Sequence, residues 1–187
     1  ALVRGESGAW SDFGKKASTA ILAGFGGAAV LAVKMAYDFQ EGLDKLRNQA
    51  GLTEEQMKQT GLAIQNIANT TGVSDKALTG AFLSAAQAGL KGAAAYDLVN
   101  NAAKASVVTG ADVSTMTQQI VGIQTLQIAK GESVAQITGQ LIKANQLHVG
   151  GMDTLVSSLR GKVGPALSNY GINLSTAVAI ADEASKA

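Results

Sequence analysis

The sequence predicts an all-α protein: an apolar Ala/Gly-rich helix followed by a series of short amphipathic helices, with no β-sheet. Three observations carry this expectation. The 187 residues include 33 Ala and a single Pro, the best and the worst helix formers. From residue 35 onward, apolar residues recur at spacings of three and four, the period of one buried helix face. Alternation with a period of two, the mark of a half-buried strand, is nowhere sustained. From residue 35 onward these stripes are punctuated by Gly, a residue suited to helix ends.

The chain divides into an N-terminal segment, 1–36, and a helical region, 37–187. Within the first, residues 17–33 read ASTAILAGFGGAAVLAV, seventeen residues without a charge, flanked by Lys15, Lys16 and Lys34. As a helix this run spans about 25 Å, just short of a bilayer's hydrocarbon core. Leu22, Phe25, Val30, Leu31 and Val33 are its candidates for membrane contact. Ala20, Gly24 and Ala28 lie four apart on one face, a spacing that lets helices approach closely. Burial in an oligomeric helical bundle and contact with a membrane both satisfy this pattern. The chain begins Ala-Leu-Val and reads as a segment of a longer protein.

Further along, Thr53-Glu-Glu-Gln56 has capping-box spacing, with Glu54 and Glu55 placed where the helix dipole favours negative charge. The helix it opens runs to about Thr71 and stops at Gly72. Ser74 caps the next, whose apolar face is Val73, Ala77, Leu78, Ala81, Phe82 and Ala85; Gly89 and Gly92 end it. A helix from about residue 93 to 108 stops at Gly110, and Asp112 opens another carrying Val113, Met116, Ile120 and Ile123. Val134, Ile137 and Leu141 form the next stripe, after Gly131. Met152, Leu155, Val156, Leu159, Val163 and Leu167 form the longest, with a kink expected at Pro165. Either Asn173 or Ser175 caps the last helix. Leu78, Phe82, Leu155, Leu159 and Val163 are the positions expected to hold helix against helix.

Three helix starts share one wording: Thr71-Gly-Val-Ser74, Thr109-Gly-Ala-Asp112 and Tyr170-Gly-Ile-Asn173. The second interval is far longer than the first, so these starts do not define a solenoid period.

Composition excludes much chemistry. With no Cys and one His, the chain has no disulfide, no thiolate nucleophile and no site needing two imidazoles. His148 stands alone before a Gly pair and suits a helix C-terminus. Glu54-Glu55 and Asp182-Glu183 are adjacent carboxylates that point about 100° apart on a helix, so neither pair converges on one atom. Gly24-Phe-Gly-Gly27 lies inside an apolar run and lacks the strand or the Lys-Ser/Thr of a phosphate loop. The net charge is +1 with both signs scattered, so no basic stripe marks sequence-specific nucleic-acid binding. No catalytic residue, metal site or cofactor is expected.

Several stretches, in order, resemble the conserved N-terminal region of phage tail tape measure proteins. They are Asp38-Phe-Gln-Glu-Gly-Leu-Asp-Lys-Leu46, Ala68-Asn-Thr-Thr-Gly-Val-Ser-Asp-Lys-Ala-Leu78, Ala86-Gln-Ala-Gly-Leu90, Val99-Asn-Asn-Ala-Ala-Lys-Ala105, Thr109-Gly-Ala-Asp112 and Gly164-Pro-Ala-Leu-Ser-Asn-Tyr-Gly-Ile-Asn-Leu-Ser175. The resemblance implies a structural virion component in the lumen of the tail tube. Such a protein helps set tail length and aids genome delivery across the host envelope. It also implies as partners further copies of the chain, tail tube and tail tip proteins, and the host membrane. The alternative is a pore-forming or membrane-active helical protein, such as a toxin or a secretion translocator.

Overall fold

The computed structural model describes residues 37–126, 129–147, 154, 156–157 and 159–185. Among them every regular element is helical and there is no strand. In chain order they are α1 (Tyr37–Ala50), α2 (Glu54–Thr71), α3 (Asp75–Gln87), α4 (Gly92–Thr109), α5 (Val113–Gln124), α6 (Val134–Leu147), a kinked turn (Leu159–Val163), α7 (Gly164–Asn169) and α8 (Leu174–Ser185).

The caps follow the sequence closely. Gln56 N donates to Thr53 Oγ1 at 3.3 Å while Thr53 N donates to Gln56 Oε1 at 2.9 Å, completing the capping box. Ser74 Oγ accepts from Ala77 N, and Asp112 Oδ1 accepts from Thr115 N. Asn173 is the cap of α8, accepting from Thr176 N at 3.0 Å; the Ser175 hydroxyl donates to the same Asn173 oxygen. Gly72 and Gly110 close α2 and α4 in the left-handed region at φ 76° and 73°. Each sends its N–H back to the carbonyl four residues earlier, Ala68 and Ser106, so one orphan carbonyl per helix is satisfied.

Two boundaries differ from expectation. Gly92 does not end α3 but begins α4, because the α3 end is already closed by the backbone: Leu90 N reaches Ala85 O at 2.9 Å. The break near Pro165 lies one turn upstream, at Gly161 (φ −75°, ψ −131°). A proline ring clashes with the carbonyl four residues before it, which for Pro165 is that of Gly161. Pro165 itself is accommodated near the start of α7, where its missing N–H costs nothing.

Packing follows a regular rule. The pairing recurs along the chain: α1 lies on α3, α3 on α5, and α5 on the kinked turn; α2 lies on α4, α4 on α6, and α6 on α8, while α7 packs on the kinked turn. Two layers result, with α1, α3, α5 and the kinked turn in one (the odd layer) and the even-numbered helices in the other. The core between them contains Leu46, Ile64, Ile67, Leu78, Leu98, Met116, Ile120, Ile123, Ile137 and Leu141, all essentially inaccessible to water.

The odd layer is drawn together by glycines. A Cβ on Gly42 of α1 would stand 2.9 Å from Thr79 Cγ2 of α3. One on Gly80 of α3 would stand 2.9 Å from Ser114 Oγ of α5. One on Gly122 of α5 would stand 2.9 Å from Arg160 Cδ on the kinked turn.

These glycines expose a repeat that the wording of the helix starts conceals. Gly42, Gly80 and Gly122 each precede by nine positions a left-handed glycine that closes a junction: Gly51, Gly89 and Gly131. Gly171 continues the junction series by one more step of similar length. Among the described residues the helices stack in pairs with a period of about 40 residues, a period that the three similar helix starts do not mark.

Candidate interaction surfaces

Three of the five expected packing residues are buried. Leu78 and Phe82 of α3 are 0% and 3% exposed, and Leu159 on the kinked turn is 0% exposed. Val163 ends that turn. Leu155 lies outside the described residues, as do the membrane-contact candidates Leu22, Phe25, Val30, Leu31 and Val33, the small-residue face Ala20, Gly24 and Ala28, and His148.

Phe82 borders a small cavity of about 20 Å³ between α1, α3 and the α4 start, together with Leu46, Leu52, Thr60, Gly92 and Ala95. Its walls are almost wholly apolar. The Thr60 hydroxyl already donates to Gln56 O at 2.8 Å, and Lys91 is the one charged residue in the lining.

A larger open groove, of about 510 Å³, runs between α5 and the kinked turn. Thr115, Gln118, Ser157, Arg160 and Gly161 line it, giving hydroxyls, amides and one guanidinium. A polar seam leads from it across the odd layer: Gln118 donates to Ser84 at 3.3 Å, and Gln87 donates to Gln49 at 3.4 Å. This surface can exchange hydrogen bonds with a partner. Among the described residues that line it, no base stands beside a nucleophile of the kind that acyl or phosphoryl transfer needs.

The carboxylates serve the helices. Glu54 and Glu55 stand in the first turn of α2, and Glu55 accepts from Gln59 at 3.1 Å. Among the described residues no group of three His, Asp or Glu is placed to hold a metal ion. No helix among them is long and apolar enough to cross a membrane. Among the described residues the exposed large apolar side chains are Val107 and Val108 at the end of α4, Tyr170, and Ile180 on α8.

Comparison with protein-family models, with curated proteins and with solved structures gives no match.

The feature that sequence reading missed is the repeat, and with it a second capping box: Ser133 N donates to Gln136 Oε1 at 2.8 Å while Gln136 N donates to Ser133 Oγ at 3.3 Å. The recurring pair of glycines nine positions apart would have revealed the first. The Ser-x-x-Gln spacing would have revealed the second.

Proposed function

We propose that the chain is a segment of a phage tail tape measure protein, a non-enzymatic virion component held in the lumen of the tail tube. Its partners are then tube and tip proteins and further copies of itself, with the host envelope reached at infection. The reading rests on the ordered series of stretches that resemble that family. The observation that supports it best is where those stretches fall. Asp38 to Leu46 is the body of α1, Ala68 to Leu78 and Thr109 to Asp112 are successive even-to-odd junctions, and Gly164 to Ser175 spans α7 and the cap of α8.

The stack refines the proposed role. An extended helix covers about 1.5 Å of tube per residue. Stacked helices advance by an interaxial distance of about 8–10 Å per pair, which is about 0.25 Å per residue at this period. A compact stack is therefore an inefficient ruler and a good plug or anchor. In this reading the segment holds one end of the protein in the tail while other parts of the parent set its length.

Mass spectrometry of purified virions, before and after triggered genome release, tests the assignment. The proposal expects the parent chain in intact tails and its loss on release. Its absence from intact virions overturns the proposal and favours the membrane-active alternative.

A further inference from the structure

The groove between α5 and the kinked turn is lined from both sides by groups that hydrogen-bond. Thr115, Gln118 and Gln119 come from α5 at helical spacing, so they share one face. Val156, Ser157 and Arg160 come from the opposite wall. Val156 and Gln119, 3% and 6% exposed, form the floor, while Thr115, Gln118, Ser157 and Arg160 stand exposed along the rims. At about 510 Å³ the groove has the size of a ligand site.

Its rim groups are not used up by the fold. Thr79, Thr117 and Thr138 turn their hydroxyls back onto the carbonyl four residues earlier. The Thr115 hydroxyl makes no such bond, and the carbonyl it would meet, that of Ala111, accepts from Ser106 at 2.6 Å. Among the described residues neither the Ser157 hydroxyl nor the Arg160 guanidinium has a hydrogen-bond or ion-pair partner. Gln118 donates its amide N–H to Ser84 and keeps its oxygen as an acceptor. Arg160 is laid along α5 by Gly122, whose missing Cβ leaves room for its Cδ, Nε and Cζ. It is the one charged residue among those lining the groove. The carboxylate of Asp112, one turn before Thr115, is turned to the α5 cap, where it accepts from Thr115 N.

These features define what fits. A guanidinium pairs with a single carboxylate through two parallel hydrogen bonds. A nucleic-acid backbone spreads its charge over many phosphates, and no second cation lines the groove to meet them. Beside the cation stand hydroxyls and an amide, which together donate and accept as a peptide backbone requires. The groove also opens onto the seam of Gln118–Ser84 and Gln87–Gln49 pairs, so an extended segment finds further amides and hydroxyls beyond its anchor.

We propose that this groove binds an extended acidic segment of a partner polypeptide, with one Asp or Glu carboxylate on Arg160 and the neighbouring backbone hydrogen-bonded by Thr115, Gln118 and Ser157. The proposal does not depend on which particle the chain belongs to.

The probe is a pool of blocked heptapeptides with a central Glu and uncharged flanks, set against a second pool with Gln at the centre. Each is titrated into the isotope-labelled 1–187 chain and followed by backbone amide NMR shifts. The expected result is saturable shifts at Thr115, Gln118, Ser157 and Arg160, with the Gln pool bound about tenfold more weakly. Arg160→Gln, which keeps an exposed polar side chain, brings the Glu pool down to the level of the Gln pool. Gly122→Ala pushes Arg160 aside and weakens the Glu pool alone. Circular dichroism unchanged from the parent admits each variant to the comparison. Equal affinity for the two pools, or no saturable shift at these residues up to about 10 mM peptide, overturns the proposal. Acetate or inorganic phosphate binding as tightly as the Glu pool also overturns it, because the groove is then a site for a bare anion.

Discussion

Arg160 lies across the backbone of α5 at Gly122: a Cβ there would stand 2.9 Å from both its Cδ and its Nε. The same close approach between Gly42 and Thr79 involves a very different neighbour. Arg160 is a solvent-exposed, flexible side chain, whereas Thr79 is buried, branched at Cβ, and tied by its hydroxyl to Asp75 O at 2.8 Å.

The two glycines therefore answer an added methyl differently. Gly→Ala inside a helix gains about 1 kcal/mol of propensity, and overpacking costs about 1–3 kcal/mol. Gly122→Ala is expected to be neutral or slightly stabilising, because Arg160 swings away. Gly42→Ala is expected to lose up to about 2 kcal/mol, because Thr79 cannot move without breaking its own bond. Urea unfolding of the two variants checks the order.

Gly72 and Gly110 raise a separate matter, since nothing lies within 4 Å of a Cβ at either. Substitution there is strained by φ alone. Gly72→Ala and Gly110→Ala should each cost about 1–2 kcal/mol. Gly72→Asn should cost less, because Asn tolerates the left-handed region. Equal losses for Ala and Asn would show that the cost has another source.

At the start of α2, Thr53→Ala removes one half of the capping box and should cost about 1 kcal/mol, with Thr53→Ser near neutral. Ser133→Ala should behave alike at α6, since Ser133 and Gln136 make the same reciprocal pair. Thermal melts followed by circular dichroism give the comparison.

Phe82→Ala tests the core where the first two repeats meet. Phe82 is 3% exposed and already borders a small cavity, so truncation enlarges a void with little around it able to collapse. The expected loss is about 3–5 kcal/mol. Leu83→Ala, next to it but only half-buried, should lose less. A similar loss at both positions would contradict the assigned orientation of α3.

Much of this architecture is legible in the sequence, because short helices advertise their ends. Thr53, Ser74 and Asp112 are caps by residue type and spacing, Gly72 and Gly110 are stops, and the stripes through Leu78, Phe82, Met116 and Ile120 are buried as their period requires. The repeat is hidden for two physical reasons. Its odd-to-even junctions do not share one chemistry: Lys91 makes no side-chain cap, and the backbone bond from Leu90 to Ala85 serves in its place. The junction between α5 and α6 is also longer than those before it, which stretches the step from Gly89 to Gly131 beyond that from Gly51 to Gly89. The sequence places the kink at Pro165, yet its strain is relieved at Gly161, the residue whose carbonyl the ring opposes. Of the candidate surface residues, those that pack in the core are readable from periodicity. The groove beside Arg160 is not, because it depends on which two elements the fold brings together.

Under the proposed tape measure function, tail length distinguishes most directly between a compact stack of residues 37–185 and an extended thread. The measurement is electron microscopy of phage whose parent gene lacks residues 72–109. That deletion removes one helix pair and rejoins α2 to α5 through an equivalent Gly junction. A stack predicts viable tails shortened by no more than about 10 Å, one interaxial step. Tails shorter by about 57 Å, the length of the deleted stretch as continuous helix, would contradict it.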